Sequence, residues 1–165
     1  MEKLFRAETV ATAEELFAVV SDLTTFPDWI ELVHRVEPIP GDLTVGGGQL
    51  EWWVTLRARI GPLARSKRLR MAQTVLDPPG SGPDEPGRVR FDRSETDGRN
   101  HAPWTMEVRV TPLDGAPHLS RADCRLHYGG SMWTGMLDGQ LDTTARRSTE
   151  ALRQIAVVRA DRTGH

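Results

Sequence analysis

The run LDTTARRSTEALRQI, residues 141–155, decides how this chain is read. Set on a helix from Gly135 to about Val158 at 100° per residue, one face collects Leu137, Leu141, Thr144, Ala145, Ser148, Leu152 and Ile155. The ends of that stripe are large and apolar and can clamp onto a sheet. Its middle is small or hydroxylated and cannot fill a core, so the pattern predicts space beneath the helix centre. The opposite face carries Asp142, Arg146, Arg147, Glu150 and Arg153, with Asp142/Arg146 and Arg146/Glu150 at the i,i+4 spacing of a solvated side. A long amphipathic helix over a hollow predicts a small-molecule pocket.

Upstream of the helix the pattern changes to period two. Ala122, Cys124, Leu126 and Tyr128 alternate before Gly129-Gly130, and Trp104, Met106, Val108 and Val110 do the same. Val89, Phe91 and Arg93 form a short strand between the proline- and glycine-rich stretch 77–87 and the turn Asp97-Gly98. Leu69, Met71, Gln73 and Val75 share one face of another strand. Before the turn Gly61-Pro62, Leu50, Trp52, Val54, Leu56, Ala58 and Ile60 alternate against Glu51, Thr55, Arg57 and Arg59, with Trp53 as an exposed exception. At the start, Lys3 to Val10 alternates as a first strand. Thr12 and Glu15 then have capping-box spacing for a helix through Leu16, Phe17 and Val20. Thr24, Thr25 and Pro27 open a second short helix ending near Trp29. The order predicts an α+β fold: a curved antiparallel sheet of six to seven strands wrapped around a long C-terminal helix, with two short helices after the first strand.

Composition bounds the function. The 165 residues read as a single domain over 1–165, and 21 basic against 23 acidic side chains leave a net charge of −2. That balance gives no field for nucleic acid or an anionic membrane. No apolar run reaches the 18 residues of a membrane span. One cysteine, Cys124, and a charged, alternating start suggest a reducing, cytoplasmic setting. The histidines at 34, 101, 118, 127 and 165 have no metal-ligand spacing, so no metal is expected. Gly46-Gly47-Gly48 precedes a strand and is no phosphate loop. No nucleophile elbow, Walker loop or dinucleotide fingerprint occurs, and no cofactor is expected.

Three segments carry a family likeness: TAEELFAVVSDL at 12–23 followed by Phe26-Pro27, Asp77-Pro78-Pro79 at a strand end, and 141–155 itself. Together they resemble the START and Bet v 1-like (SRPBCC) helix-grip superfamily, in particular its polyketide cyclase/dehydrase branch of aromatase/cyclases. The resemblance spans nearly the whole chain. It implies a cavity that bends a poly-β-ketone so that an enol carbon attacks a carbonyl and water is later lost. The tyrosine that follows the aromatic-proline pair in that branch has no counterpart here, since Val33 sits near its place. The strand that would offer an inward arginine offers Gln73 or Thr74.

The residues themselves nominate Arg93 and Tyr128 as catalytic, each on the apolar face of its strand, against ordinary roles as a frayed strand end and a core hydrogen bond. Phe26, Trp29, Trp52, Met71, Gln73 and Phe91 are expected to contact substrate, as are Trp104 and Met106. From the helix, Leu141, Thr144 and Ser148 join them. For the aromatic residues plain core packing is the competing role. Arg57, Arg59, Arg65, Lys67, Arg68 and Arg70 crowd one hairpin, which reads either as a solvated outer face or as a docking patch for an acidic acyl carrier protein. Two functions fit: a polyketide cyclase/aromatase-like enzyme acting on a hydrophobic oxygenated small molecule, and a non-catalytic carrier or sensor of a lipid-like or aromatic metabolite. An interaction protein working through the hairpin is a third.

Overall fold

The alternation running from 51 to 128 folds into five strands, which two earlier ones at 2–9 and 33–38 extend into one antiparallel sheet of seven, curled into a half-barrel. The computed structural model describes residues 2–40, 49–60, 63–80, 85–130, 147 and 149–156. The strands are β1 (Glu2–Thr9), β2 (Val33–Pro38), β3 (Glu51–Ile60), β4 (Leu63–Asp77), β5 (Gly87–Arg93), β6 (Trp104–Leu113) and β7 (Ala116–Tyr128). Their order across the sheet is β1-β7-β6-β5-β4-β3-β2, so β3 to β7 each lie beside the strand that precedes them in sequence, while β1 pairs with β7 and β2 forms the other edge. Helix α1 (Ala13–Val20), a 3₁₀ turn (Leu23–Thr25) and α2 (Phe26–Trp29) lie between β1 and β2. The α+β class and the strand count agree with the sequence pattern.

Helix α1 starts where the capping box predicts. The Thr12 hydroxyl accepts from the Glu15 amide at 3.2 Å, and the Glu15 carboxylate accepts from the Thr12 amide at 2.8 Å. Leu16, Val19 and Val20 are fully buried on the side facing β5, β6 and β7. Each such side chain contributes about 1.5–3 kcal/mol through burial. The approach is close. A Cβ on Gly87, which opens β5, would stand 2.7 Å from the Phe17 ring and 2.8 Å from Pro79. The β6–β7 turn closes on Asp114-Gly115, with Gly115 at φ +71°, a conformation that disfavours a side chain.

Two strand features differ from the pattern reading. β2 went unrecognised because Val33 is its one buried residue and the strand ends in Pro38, the composition of a sheet edge rather than a half-buried strand. In β4 the pairing slips at Thr74: Gln73 faces Phe91 but Val75 faces Arg90, so Val75 leaves the face it was expected to share with Leu69 and Met71.

Of the long helix expected from 135 to about 158, the described residues contain 147 and the two-turn stretch 149–156, all helical. Leu152 is fully buried and Ile155 packs against the core, as the stripe predicted for that end. The segment also satisfies the open edge of β1. Thr149 Oγ1 donates to the Arg6 carbonyl at 3.3 Å and Arg153 Nε to the Glu8 carbonyl at 2.7 Å. Leu137, Leu141, Thr144, Ala145 and Ser148 lie outside the described residues.

On the outer face Asp92 ties three strands together. Its carboxylate accepts from Thr105 Oγ1 at 2.7 Å, Arg90 Nε at 2.9 Å and the bulged Thr74 Oγ1. Burial alone would raise its pKa, but the hydrogen bonds from Arg90, Thr74 and Thr105 outweigh burial and hold it below the usual carboxylate value. A folded pKa below the unfolded one adds stability that is complete above the unfolded value and disappears as pH falls through the folded one. Asp92→Asn should therefore cost about 1–2 kcal/mol at pH 7. In urea unfolding curves from pH 7 to pH 3 the gap between variant and wild type should shrink steadily. A gap independent of pH would assign the loss to packing.

Candidate functional site

The concave face of the half-barrel holds an apolar pocket. Its floor comes from alternate residues of five strands: Val54 and Leu56, Leu69 and Met71, Phe91, Trp104 and Met106, and Leu126. Leu23, Phe26, Ile30, Leu32 and Val33, on the segment from the 3₁₀ turn into β2, form the opposite wall. Lys3 and Phe5 of β1 line one side. The cavity volume is about 60 Å³, room for roughly four water-sized groups. Such an apolar lining favours hydrocarbon over water. Phe26 and Phe91 set its aromatic centre, both fully buried, with ring centroids 5.5 Å apart in edge contact.

The residues nominated from the sequence separate into groups. Phe26, Met71, Phe91, Trp104 and Met106 line the pocket. Trp52 shares the concave face beside Met71 but is not one of the lining residues, and its ring lies edge-on to Phe91 at 5.8 Å. Trp29 belongs to the core: its Nε1 donates to Thr25 Oγ1 at 3.2 Å, and that hydroxyl donates to the Val19 carbonyl at 2.9 Å. Gln73 Nε2 donates to the Ser21 carbonyl at 3.1 Å, fastening β4 to the end of α1. Leu141, Thr144 and Ser148 are outside the described residues. Leu56, Leu69 and Leu126 were missed as lining residues although the alternation placed them on the right face.

A polar cluster closes one end of the concave face, where β5 stops and β4 continues. Arg93 is almost fully buried, and its guanidinium forks onto Glu95, with Nη2 to Oε1 at 3.0 Å and a second bond from Nε to Oε2. Its Nη1 donates to the Ala102 carbonyl at 3.0 Å. Tyr128 is buried with its ring 5.2 Å from Trp104. A Cβ on Gly130 would fall 2.1 Å from the Tyr128 hydroxyl, so glycine there lets the chain pass over it.

The basic hairpin divides between the two faces. Arg68 and Arg70 point outward and are paired, Arg68 with Glu37 at 3.3 Å and Arg70 with Glu51. Trp53, expected to be exposed, is half-buried, and the Arg68 guanidinium lies 4.7 Å over its ring. Arg57 is exposed, and the side chains of Arg59 and Arg65 are not among those described. Lys67 does not share the outer face. Its register partner is Leu56 and it precedes Leu69 by two residues, so it takes the pocket side, with Nζ 5.8 Å from the centre of the Tyr128 ring. Burial lowers the ammonium pKa, the nearby Arg93 charge lowers it further, and Glu95 opposes both.

Burial also pushes the Cys124 thiol far up, which leaves it an inert core group. Among the described residues no three His, Cys, Asp or Glu side chains gather as a metal site requires. Nor is any described helix long and apolar enough to cross a membrane.

No protein-family model and no curated protein sequence matches the chain. Solved structures do. A protein of Thermus thermophilus superimposes with a TM-score of 0.61 at 14% identity, covering 100% of both chains. A START superfamily protein from Mycobacterium smegmatis gives 0.60 at 14% identity over 98% of each chain. A Streptomyces aromatase/cyclase gives 0.57 at 14% identity over 100% of this chain and 96% of that one. At such identities the likeness is one of fold, and it agrees with the half-barrel and the short helices: the chain has the START/SRPBCC fold, with an aromatase/cyclase among its structural neighbours.

Proposed function

We propose that the protein binds a hydrophobic, oxygenated small molecule in the concave pocket and promotes its cyclisation with loss of water, in the manner of a polyketide aromatase/cyclase. The observation that carries this reading is an apolar pocket on the concave face, with Tyr128, Lys67 and Arg93 grouped at one end of that face. Cyclisation of a poly-β-ketone asks little of a base, because a methylene between two carbonyls is already acidic. It asks for a bent chain and for charge stabilisation. The enol carbon forms a bond to a carbonyl carbon, and the carbonyl oxygen takes a proton. The resulting hydroxyl leaves with a neighbouring hydrogen as water. In this reading Tyr128 supplies and recovers the proton while the Lys67 ammonium stabilises the oxyanion. Arg93, held by Glu95 and the Ala102 carbonyl, acts as a positioning residue.

The volume limits the ligand. About 60 Å³ is well short of the roughly 300–1,000 Å³ of sites for drug-sized ligands. A chain of several ketide units therefore requires the wall carrying Phe26, Ile30 and Leu32 to move off the sheet. The engaged Arg93 favours a second reading, a carrier or sensor without chemistry. An acyl carrier protein docking on the hairpin would have to displace Glu37 and Glu51 from Arg68 and Arg70, and so forms no part of the proposed function.

Native mass spectrometry of the purified protein, with extraction of any retained molecule, gives the ligand class. Tyr128→Phe then separates the readings. The cyclase predicts turnover reduced about 10²–10⁴-fold at unchanged affinity. A loss of affinity alone makes the protein a carrier.

A further inference from the structure

Resting on that reading of the pocket, we propose that Lys67 recognises an anionic oxygen, and that the ligand is an apolar molecule ending in a carboxylate. Register places this lysine where the alternation of β4 calls for an apolar side chain, opposite Leu56 and two residues before Leu69, both of which line the cavity. A lysine stem can lie along that apolar surface while its head reaches the end of the concave face.

The charges around it leave the ammonium unbalanced. No carboxylate lies within ion-pair distance of Lys67 among the described residues, whereas Arg68, Arg70 and Arg93 are each paired. Glu95, the acid that acts on Lys67 electrostatically, is already held by both prongs of Arg93. The Tyr128 ring offers the ammonium a π face, which does not replace a carboxylate as its partner. Partial desolvation of the ammonium, seen in its lowered pKa, makes an anion contact there worth more than at an exposed lysine.

The test uses 3-phenylpropanoate and 3-phenylpropan-1-ol, which share an aromatic ring and chain length and differ in charge. Calorimetric titration at pH 7 should show the acid binding wild type about 10- to 100-fold more tightly than the alcohol. Lys67→Met keeps the apolar stem and should bring the acid down to the level of the alcohol while leaving the alcohol unchanged. Lys67→Arg should retain the preference. An acid preference that survives Lys67→Met overturns the assignment and shifts it to Lys3, a cation that lines the cavity itself. Equal binding of the two compounds by wild type also overturns it but leaves the pocket standing. Binding of neither compound overturns both this assignment and the pocket reading.

Discussion

Phe91→Ala should lower the stability of the fold by about 3–5 kcal/mol, read as a shift of the urea midpoint without change of slope. In a chain of 165 residues that corresponds to a fall in Tm of roughly 6–20 °C. Phe91 is fully buried in the central strand β5 and makes edge contacts with Phe26 at 5.5 Å and Trp52 at 5.8 Å. Truncation loses the transfer energy of the ring and both contacts. The space left would join the existing cavity of about 60 Å³, and β5, hydrogen-bonded on both sides, cannot sink to fill it. The enlarged hole should accept benzene. A ligand at a hundredfold excess over its Kd returns about 2.7 kcal/mol, so benzene should raise the Tm of the variant more than that of wild type. A loss below about 1.5 kcal/mol with no benzene effect would mean that the concave face collapses around the missing ring and holds no persistent pocket.

How much of this was legible in the sequence depends on what each element must satisfy. Strands β3, β6 and β7 were readable because one face of each is buried and the other is wet, which imposes period two on Trp52, Val54 and Leu56 or Trp104, Met106 and Val108. The start of α1 was readable because capping is local: Thr12 and Glu15 satisfy each other within one turn. β2 was not, since an edge strand with one wet flank carries no burial pattern. The bulge at Thr74 was not either, because its hydroxyl is drawn to Asp92, 18 residues away.

The site shows the same division. Sequence spacing put Phe26, Met71, Phe91, Trp104 and Met106 around one space, but it could not tell them from Trp29, whose indole is tied to Thr25 in the core, or from Trp52, which shares the concave face yet packs on Phe91 without lining the cavity. Arg93 was singled out for sharing a face with Phe91, but what occupies it is Glu95, two residues on and past the strand end. Lys67 was hidden in a run of like charges. Only the pairing of β3 with β4 separates it from Arg68 and Arg70.

Met71→Trp should abolish ligand binding, with affinity reduced at least about a hundredfold, while the protein stays folded. Met71 is buried at the middle of the pocket floor, facing Trp52 across β3 and Arg93 across β5. The added indole has one place to go. A methionine packed on every side would turn such a substitution into overpacking, at about 1–3 kcal/mol or more. Here the adjoining cavity of about 60 Å³ takes up much of the extra volume, so the stability cost should sit at the low end of that range and the ligand space should disappear. The two readouts are coupled in opposite senses, which gives the variant its force. Lost binding with stability within about 1 kcal/mol of wild type places the ligand against β4 under Phe26. A large destabilisation shows a floor already full, and retained binding in a folded Met71→Trp protein moves the ligand to another part of the molecule.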